Sequence, residues 1–126
     1  MFAINCVLIT ESDLYALRYP DVHELHVLER AAGGPSGSSH LEHASARRAI
    51  RVHSGDLGSR RAVVVASEPM DADPGWRELR SGELLHVDSG LKATVERVID
   101  EPPAHPLTLA DLDEQAAASQ RASSQT

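Results

Sequence analysis

Four of the seven histidines form two closely spaced pairs. His23-x-x-His26 and His40-x-x-His43 supply four imidazoles, the number of ligands that a tetrahedral zinc site uses. Positions i and i+3 of a strand point to opposite faces, so His23 and His26 cannot both reach one ion without a bulge. His40 and His43 meet this condition only on a helical turn. We therefore interpret these residues as solvated surface histidines and predict neither a metal site nor a cofactor.

Ser67 and Glu68 follow the apolar segment 62–66 and are the candidate substrate-binding residues. An active site at the end of a buried strand would draw on them, although polar residues at such positions also serve as turn and cap residues. Glu68 with Asp71 and Asp73 forms an acidic group that we interpret as a solvated turn. Because the chain has no Gly-x-Ser-x-Gly elbow, a serine hydrolase is not supported and we assign no catalytic residue.

Composition excludes several classes of partner. The net charge of −7 repels nucleic-acid backbones and anionic membranes. Cys6 is the single cysteine, which rules out an internal disulfide, and we predict that it is a small buried residue of a strand. The sequence contains no apolar run of transmembrane length and no signal-peptide pattern, so we predict a cytoplasmic protein that contacts no membrane.

The elements that must position these residues are mostly short strands. Residues 2–9 are apolar on both faces, which is typical of a central strand covered on two sides. Residues 33–39 have the composition of a mobile loop, and 41–46 fit either a helical turn or a loop. The further predicted strands are 14–19, 22–29, 49–53, 62–68, 76–79, 83–88 and 91–98.

The composition changes after residue 100. Thr108 is a potential N-cap with Asp111 three residues later, and Leu109 and Leu112 give one narrow apolar face, which predicts a short helix. We expect a β-rich domain over 1–100, an extension with this helix over 101–118, and a disordered tail over 119–126. The predicted fold class is α+β, mainly antiparallel β.

Two strands need more cover than the chain offers. Segments 2–9 and 62–66 each require two covered faces, and only the other strands and one weak helix are available. Each uncovered Val, Ile or Leu side chain forgoes about 1.5–3 kcal/mol of burial. We therefore expect a partner or a further segment to cover the remaining apolar surface.

The order of several motifs resembles class II glutamine amidotransferases, most of all the bacterial ergothioneine-pathway hydrolase type. The likeness covers residues 1–115. The motifs, in chain order, are Met1-Phe2-Ala3, Leu14-Tyr15-Ala16-Leu17-Arg18-Tyr19, Ala62-Val63-Val64-Val65-Ala66-Ser67-Glu68-Pro69, Gly75-Trp76 and Gly82-Glu83-Leu84-Leu85.

The resemblance implies part of an N-terminal-nucleophile hydrolase sandwich, in which two antiparallel sheets pack between helical layers. It also implies hydrolysis of glutamine or of a γ-glutamyl amide, with ammonia released from glutamine. In that family the nucleophile is a cysteine at the mature N-terminus, and its free α-amino group is the base.

The chain departs from the family at the catalytic residues. Cys6 lies inside a strand and is followed by Val7, so it is not the counterpart of the nucleophile. The family's glutamine-binding Arg and Asp and its Asn-Gly oxyanion donors precede the Met-Phe-Ala strand and are not found here. We therefore expect a C-terminal half that is inactive alone and whose partner is the missing N-terminal half. The alternative is a non-catalytic interaction module that dimerises or binds a partner through an open apolar sheet face.

Overall fold

The structure is a computed structural model that describes residues 3–35, 41–44 and 51–123, with side chains described as far as residue 120. It has nine strands and one α-helix within these ranges, together with 3-10 turns at Asp56–Gly58 and Leu109–Asp111. The strands are β1 (Ile4–Ile9), β2 (Leu14–Tyr19), β3 (His26–Arg30), β4 (Leu41–Ala44), β5 (Arg51–Ser54), β6 (Ala62–Ala66), β7 (Arg77–Glu78), β8 (Glu83–Val87) and β9 (Ala93–Arg97), and the helix is α1 (Glu114–Ser123).

The largest sheet has four antiparallel strands in the order β1-β2-β8-β9. The predicted hairpin between the first two strands is confirmed, with Ile9 paired to Leu14 next to the turn. Thr10 closes this turn, because its backbone N–H donates to the carbonyl of Asp13 over 2.8 Å. A polar break between two β-type segments was thus sufficient to locate the hairpin.

A second sheet has three antiparallel strands in the order β6-β3-β7, and β4 pairs with β5 as a separate antiparallel ribbon. The fold is therefore α+β with mostly antiparallel strands, as predicted. Segment 41–46 was predicted to be a helical turn or a loop, but its first four residues form β4. Residues 36–40 and 45–50 lie outside the described residues, so most of the predicted loop 33–39 and the start of the predicted strand 49–53 are not covered.

The core lies between the four-stranded and three-stranded sheets. Its buried cluster combines residues of both sheets with residues of the adjoining loops, and valines of β6 and β9 pack against it. Side chains alternate along a strand, so one face of each strand supplies this cluster. The buried members are Ala16, Leu25, Val27, Leu79, Leu85 and Val87.

Gly82, which precedes β8, is hydrogen-bonded to β2 and to the segment that follows β9. Its N–H donates to the carbonyl of Arg18, and its own carbonyl accepts from the N–H groups of Val98 and Ile99. Its φ of 80° is in the left-handed region, and a Cβ at this position would lie 1.9 Å from the carbonyl oxygen of Ile99. Only glycine fits this junction.

The prediction that the first strand is central and covered on both faces is wrong. Strand β1 pairs only with β2 within the described residues, and all six of its residues are exposed. The predicted burial of Cys6 is wrong for the same reason. The apolar character of this strand was read correctly, but the described part of the chain does not cover it.

The α-helix begins later than the sequence prediction placed it. Thr108 and Asp111 do form the capping box, but it closes a 3-10 turn, after which Leu112 is extended. Asp113 accepts a hydrogen bond from the N–H of Ala116 at 2.8 Å and so caps α1. The helix includes residues 119–123 of the segment for which we predicted disorder.

Candidate functional site

The two predicted substrate-binding residues, Ser67 and Glu68, have different surroundings in the structure. Ser67 follows β6 and is exposed, whereas Glu68 is half-buried. The carboxylate of Glu68 lies 2.9 Å from Nε2 of His43 on β4, and 17% of the His43 side chain is exposed. Glu68 is therefore paired with a histidine that the sequence analysis had grouped with His40, which lies outside the described residues.

The acidic residues after Glu68 organise a turn, but Asp71 and Asp73 are half-buried rather than fully solvated as predicted. Asp71 accepts hydrogen bonds from the indole N–H of Trp76 and from the N–H of Asp73, and Asp73 accepts one from the N–H of Gly75. Oδ2 of Asp71 also lies 3.9 Å from Nε of the buried Arg30 on β3, so the turn contacts the three-stranded sheet. No group of three His, Cys, Asp or Glu side chains placed to hold a metal ion occurs in the part of the chain that the structure describes.

The side chains of His23 and His26 also contact different residues. Nε2 of His23 lies 2.7 Å from the amide oxygen of Gln120 on α1, and Nε2 of His26 lies 2.9 Å from the carboxylate of Glu24. His26 is buried, so its interpretation as a surface residue is wrong. Each imidazole therefore has a different protein partner.

A carboxylate–imidazole pair that the sequence analysis missed joins the first hairpin turn to β8. Oδ1 of Asp13 lies 2.7 Å from Nε2 of His86, whose ring stacks on Tyr15 with centroids 4.7 Å apart. The hydroxyl of Ser12 donates to the other oxygen of Asp13. These hydrogen bonds, first from Ser12 and then from His86, hold the pKa of the Asp13 carboxyl below its ordinary value.

This arrangement does not make a serine nucleophile. The Ser12 hydroxyl is bonded to the carboxylate rather than to the imidazole, so His86 is not positioned to take its proton. The pair orients the imidazole at the sheet surface. No local sequence signal reveals it, because the two residues are 73 positions apart and meet only through the pairing of Tyr15 with His86.

An arginine-lined cleft of about 510 Å³ lies at the junction of β2, β7 and the loop before β8. The Arg18 side chain is 7% exposed; its Nε donates to the carbonyl of His23, and its Nη1 donates to Glu78 and to the carbonyl of Leu79. The other lining residues are Asp21, Arg80, Ser81 and Arg97.

A further candidate surface is the open face of the four-stranded sheet, on the side away from the core. Because Ala16 and Leu85 point into the core, their neighbours along β2 and β8 point outward. The pairing register adds alternate residues of β1 to this face. The open face consists of Ile4, Cys6, Leu8, Tyr15, Leu17, Tyr19, Leu84, His86, Thr94 and Glu96.

Exposure is greatest at the β1 side of this face. Leu8 is 61% exposed and Ile4 is 42% exposed, whereas Tyr19, which pairs with Ile4 from β2, is buried and its hydroxyl donates to the carbonyl of Glu101. The other face of β1 is uncovered too, since Ile9 is 70% exposed and Val7 is 48% exposed. Strand β1 therefore presents two apolar faces and an unpaired backbone edge within the described residues.

Comparison with known proteins returns no match: no family model, no curated protein and no solved structure resembles the chain closely enough to be counted. None of the helices in the described residues is long and apolar enough to span a membrane. The described residues form an α+β fold with mostly antiparallel sheets, and the largest sheet has an open apolar face.

Proposed function

We propose that the chain is the C-terminal portion of a class II glutamine amidotransferase domain, and that the segment bearing the cysteine nucleophile packs on β1. The observation that carries this proposal is the exposure of all six residues of β1. In the sandwich that the motifs resemble, helices cover the outer face of each sheet, and both faces of a strand such as β1 are buried. The open face has the apolar composition that such a layer requires.

The free energy available from burying the apolar side chains of β1 supports the proposal that another segment covers this strand. Ile4, Val7, Leu8 and Ile9 together forgo several kcal/mol of burial, since a fully buried side chain of this kind contributes about 1.5–3 kcal/mol. Small domains have a net stability of only about 5–15 kcal/mol. Covering β1 would therefore change the stability of the chain substantially.

The proposed reaction is hydrolysis of glutamine or of a γ-glutamyl amide by a cysteine outside the described strands. Cys6 is unsuited to this role because it lies within β1 and has no adjacent free α-amino group. The exposed hydroxyl of Ser67 is available to bind substrate in the assembled domain. Glu68 would act there together with His43, to which it is already bonded.

Ammonia release is the test of this proposal. We expect the purified chain alone to release no ammonia from glutamine, and a complex recovered from its own cells through a C-terminal tag to do so. Alkylation with iodoacetamide should stop the reaction, while Cys6→Ser should leave it unchanged. Activity of the chain alone, or a complex that hydrolyses neither glutamine nor γ-glutamyl amides, would overturn the proposal.

A second candidate is a non-catalytic module that assembles through β1. The specific observation in its favour is that Ile4–Ile9 contains no charged residue, although edge strands usually carry charges that prevent pairing with other chains. Light scattering after size-exclusion chromatography separates the candidates. A defined, soluble dimer of the isolated chain supports the module, and polydisperse aggregation supports the incomplete enzyme.

A further inference from the structure

The arginine-lined cleft has the charge pattern of an anion site in an acidic protein. The chain carries a net charge of −7, yet three guanidinium groups and only two carboxylates line this cleft. The carboxylate of Glu78 is already paired with the buried Arg18. Asp21 accepts a hydrogen bond from the N–H of Ser81 and lies 3.7 Å from Nη2 of Arg18, so both carboxylates of the cleft face Arg18 rather than Arg80.

The three arginines differ in how many of their guanidinium N–H groups remain available to bind a ligand. Nη2 of Arg18 makes no hydrogen bond within the described residues, and its ion-pair partner is Oδ1 of Asp21 at 3.7 Å. Nε of Arg97 lies 3.0 Å from Asp100, an exposed carboxylate that leaves the terminal nitrogens of Arg97 unengaged by it. The exposed side chain of Arg80 forms no ion pair within the described part of the chain.

The geometry points to a binding site for a small oxyanion, a phosphate or carboxylate group, between Arg80 and Arg97 over the fixed guanidinium of Arg18. The three hydrogen bonds that Nε and Nη1 donate hold Arg18 in one orientation, so little freedom of this side chain is lost when a ligand binds. Arginine is suited to this role because its planar group donates two parallel hydrogen bonds to such oxygens. A cleft of about 510 Å³ accepts a small metabolite. The site does not depend on the proposed amidotransferase function.

Titration with two probes, inorganic phosphate and succinate, tests the site and distinguishes phosphate from carboxylate. We expect saturable changes in the NMR signals of the Ser81 amide and the Arg97 side chain with one probe at millimolar concentration. The double variant Arg80→Gln/Arg97→Gln should weaken binding by about tenfold or more, because it removes both exposed guanidinium groups that donate charge-assisted hydrogen bonds to the anion. Arg60→Gln removes the same charge from a surface position outside the cleft and should leave the affinity unchanged.

A second measurement applies to the protein in any assembly state. Modification by phenylglyoxal, mapped by mass spectrometry, should be slowed by the bound probe at Arg80 and Arg97 and not at Arg60. Absence of saturable shifts with both probes, equal weakening by Arg60→Gln, or equal modification of all three arginines with and without probe would overturn the inference.

Discussion

Replacing Leu8 and Leu85 by alanine tests whether β1 is an uncovered strand. The two substitutions remove the same atoms, but Leu8 is 61% exposed while Leu85 is fully buried in the core. Burying a leucine side chain completely contributes about 1.5–3 kcal/mol to stability, and Leu8 is buried to roughly two fifths in the isolated chain. Leu8→Ala should therefore lower the free energy of unfolding by about 1 kcal/mol. Leu85→Ala also leaves a cavity and should cost about 2–5 kcal/mol.

The assay is urea unfolding of the isolated chain at low concentration, followed by the fluorescence of Trp76. The same variants should then be compared in the complex recovered from cells. There, Leu8→Ala should approach the cost of Leu85→Ala, because a covering segment would bury Leu8. Equal costs in the isolated chain would refute the exposure of β1, and a Leu8→Ala cost that stays near 1 kcal/mol in the complex would refute its covering.

Two further predictions concern the sheet and its surface pair. Gly82→Ala should lower the free energy of unfolding by about 3 kcal/mol or more, because residue 82 has a left-handed backbone conformation and the new methyl group would meet the carbonyl of Ile99. The control is Gly58→Ala, which has open space around it and should change the free energy of unfolding by less than about 1 kcal/mol in the same urea experiment. Similar values for both variants would contradict this account. Asp13→Asn should lower the stability at pH 7. The pKa of Asp13 in the folded protein lies below the unfolded value of about 3.9, so the loss of stability should shrink as the pH falls from about 3.9 through the folded pKa. A loss of stability that does not change with pH would show that the carboxylate charge is not responsible.

Most strands could be predicted from the sequence because turn residues and alternation are local signals. Strand β2 was predicted with its observed ends, and β8 differs from its prediction by one residue. Strand β7 is two residues shorter than its prediction, since only Arg77 and Glu78 pair with β3. Strand ends depend on partners that lie far away in the sequence.

The position of β1 and of the helix required other information. The composition of 2–9 shows that its side chains prefer burial, but it does not show what buries them. Asp113, followed by Glu114, Gln115 and three alanines, was a better helix start than Thr108, whose capping box with Asp111 closes a single turn. A local cap motif alone did not identify the longer helix.

The candidate sites were less predictable than the strands. Ser67 and Glu68 were chosen from their place after an apolar segment, and the structure pairs Glu68 with His43, 25 residues earlier. The Asp13–His86 pair depends on strand register, and the arginine-lined cleft brings together residues from both of the larger sheets. Such contacts follow from the tertiary structure and leave no local pattern.

The central claim is that a segment bearing an N-terminal cysteine completes the four-stranded sheet at β1. Its most direct test is the intact mass and N-terminal sequence of every polypeptide recovered with a C-terminally tagged protein expressed from its own locus. The account predicts a polypeptide that begins with cysteine, either continuous with residues 1–126 or present in equal amount as a second chain. Recovery of a species that begins at Met1, alone or only with copies of itself, would contradict it.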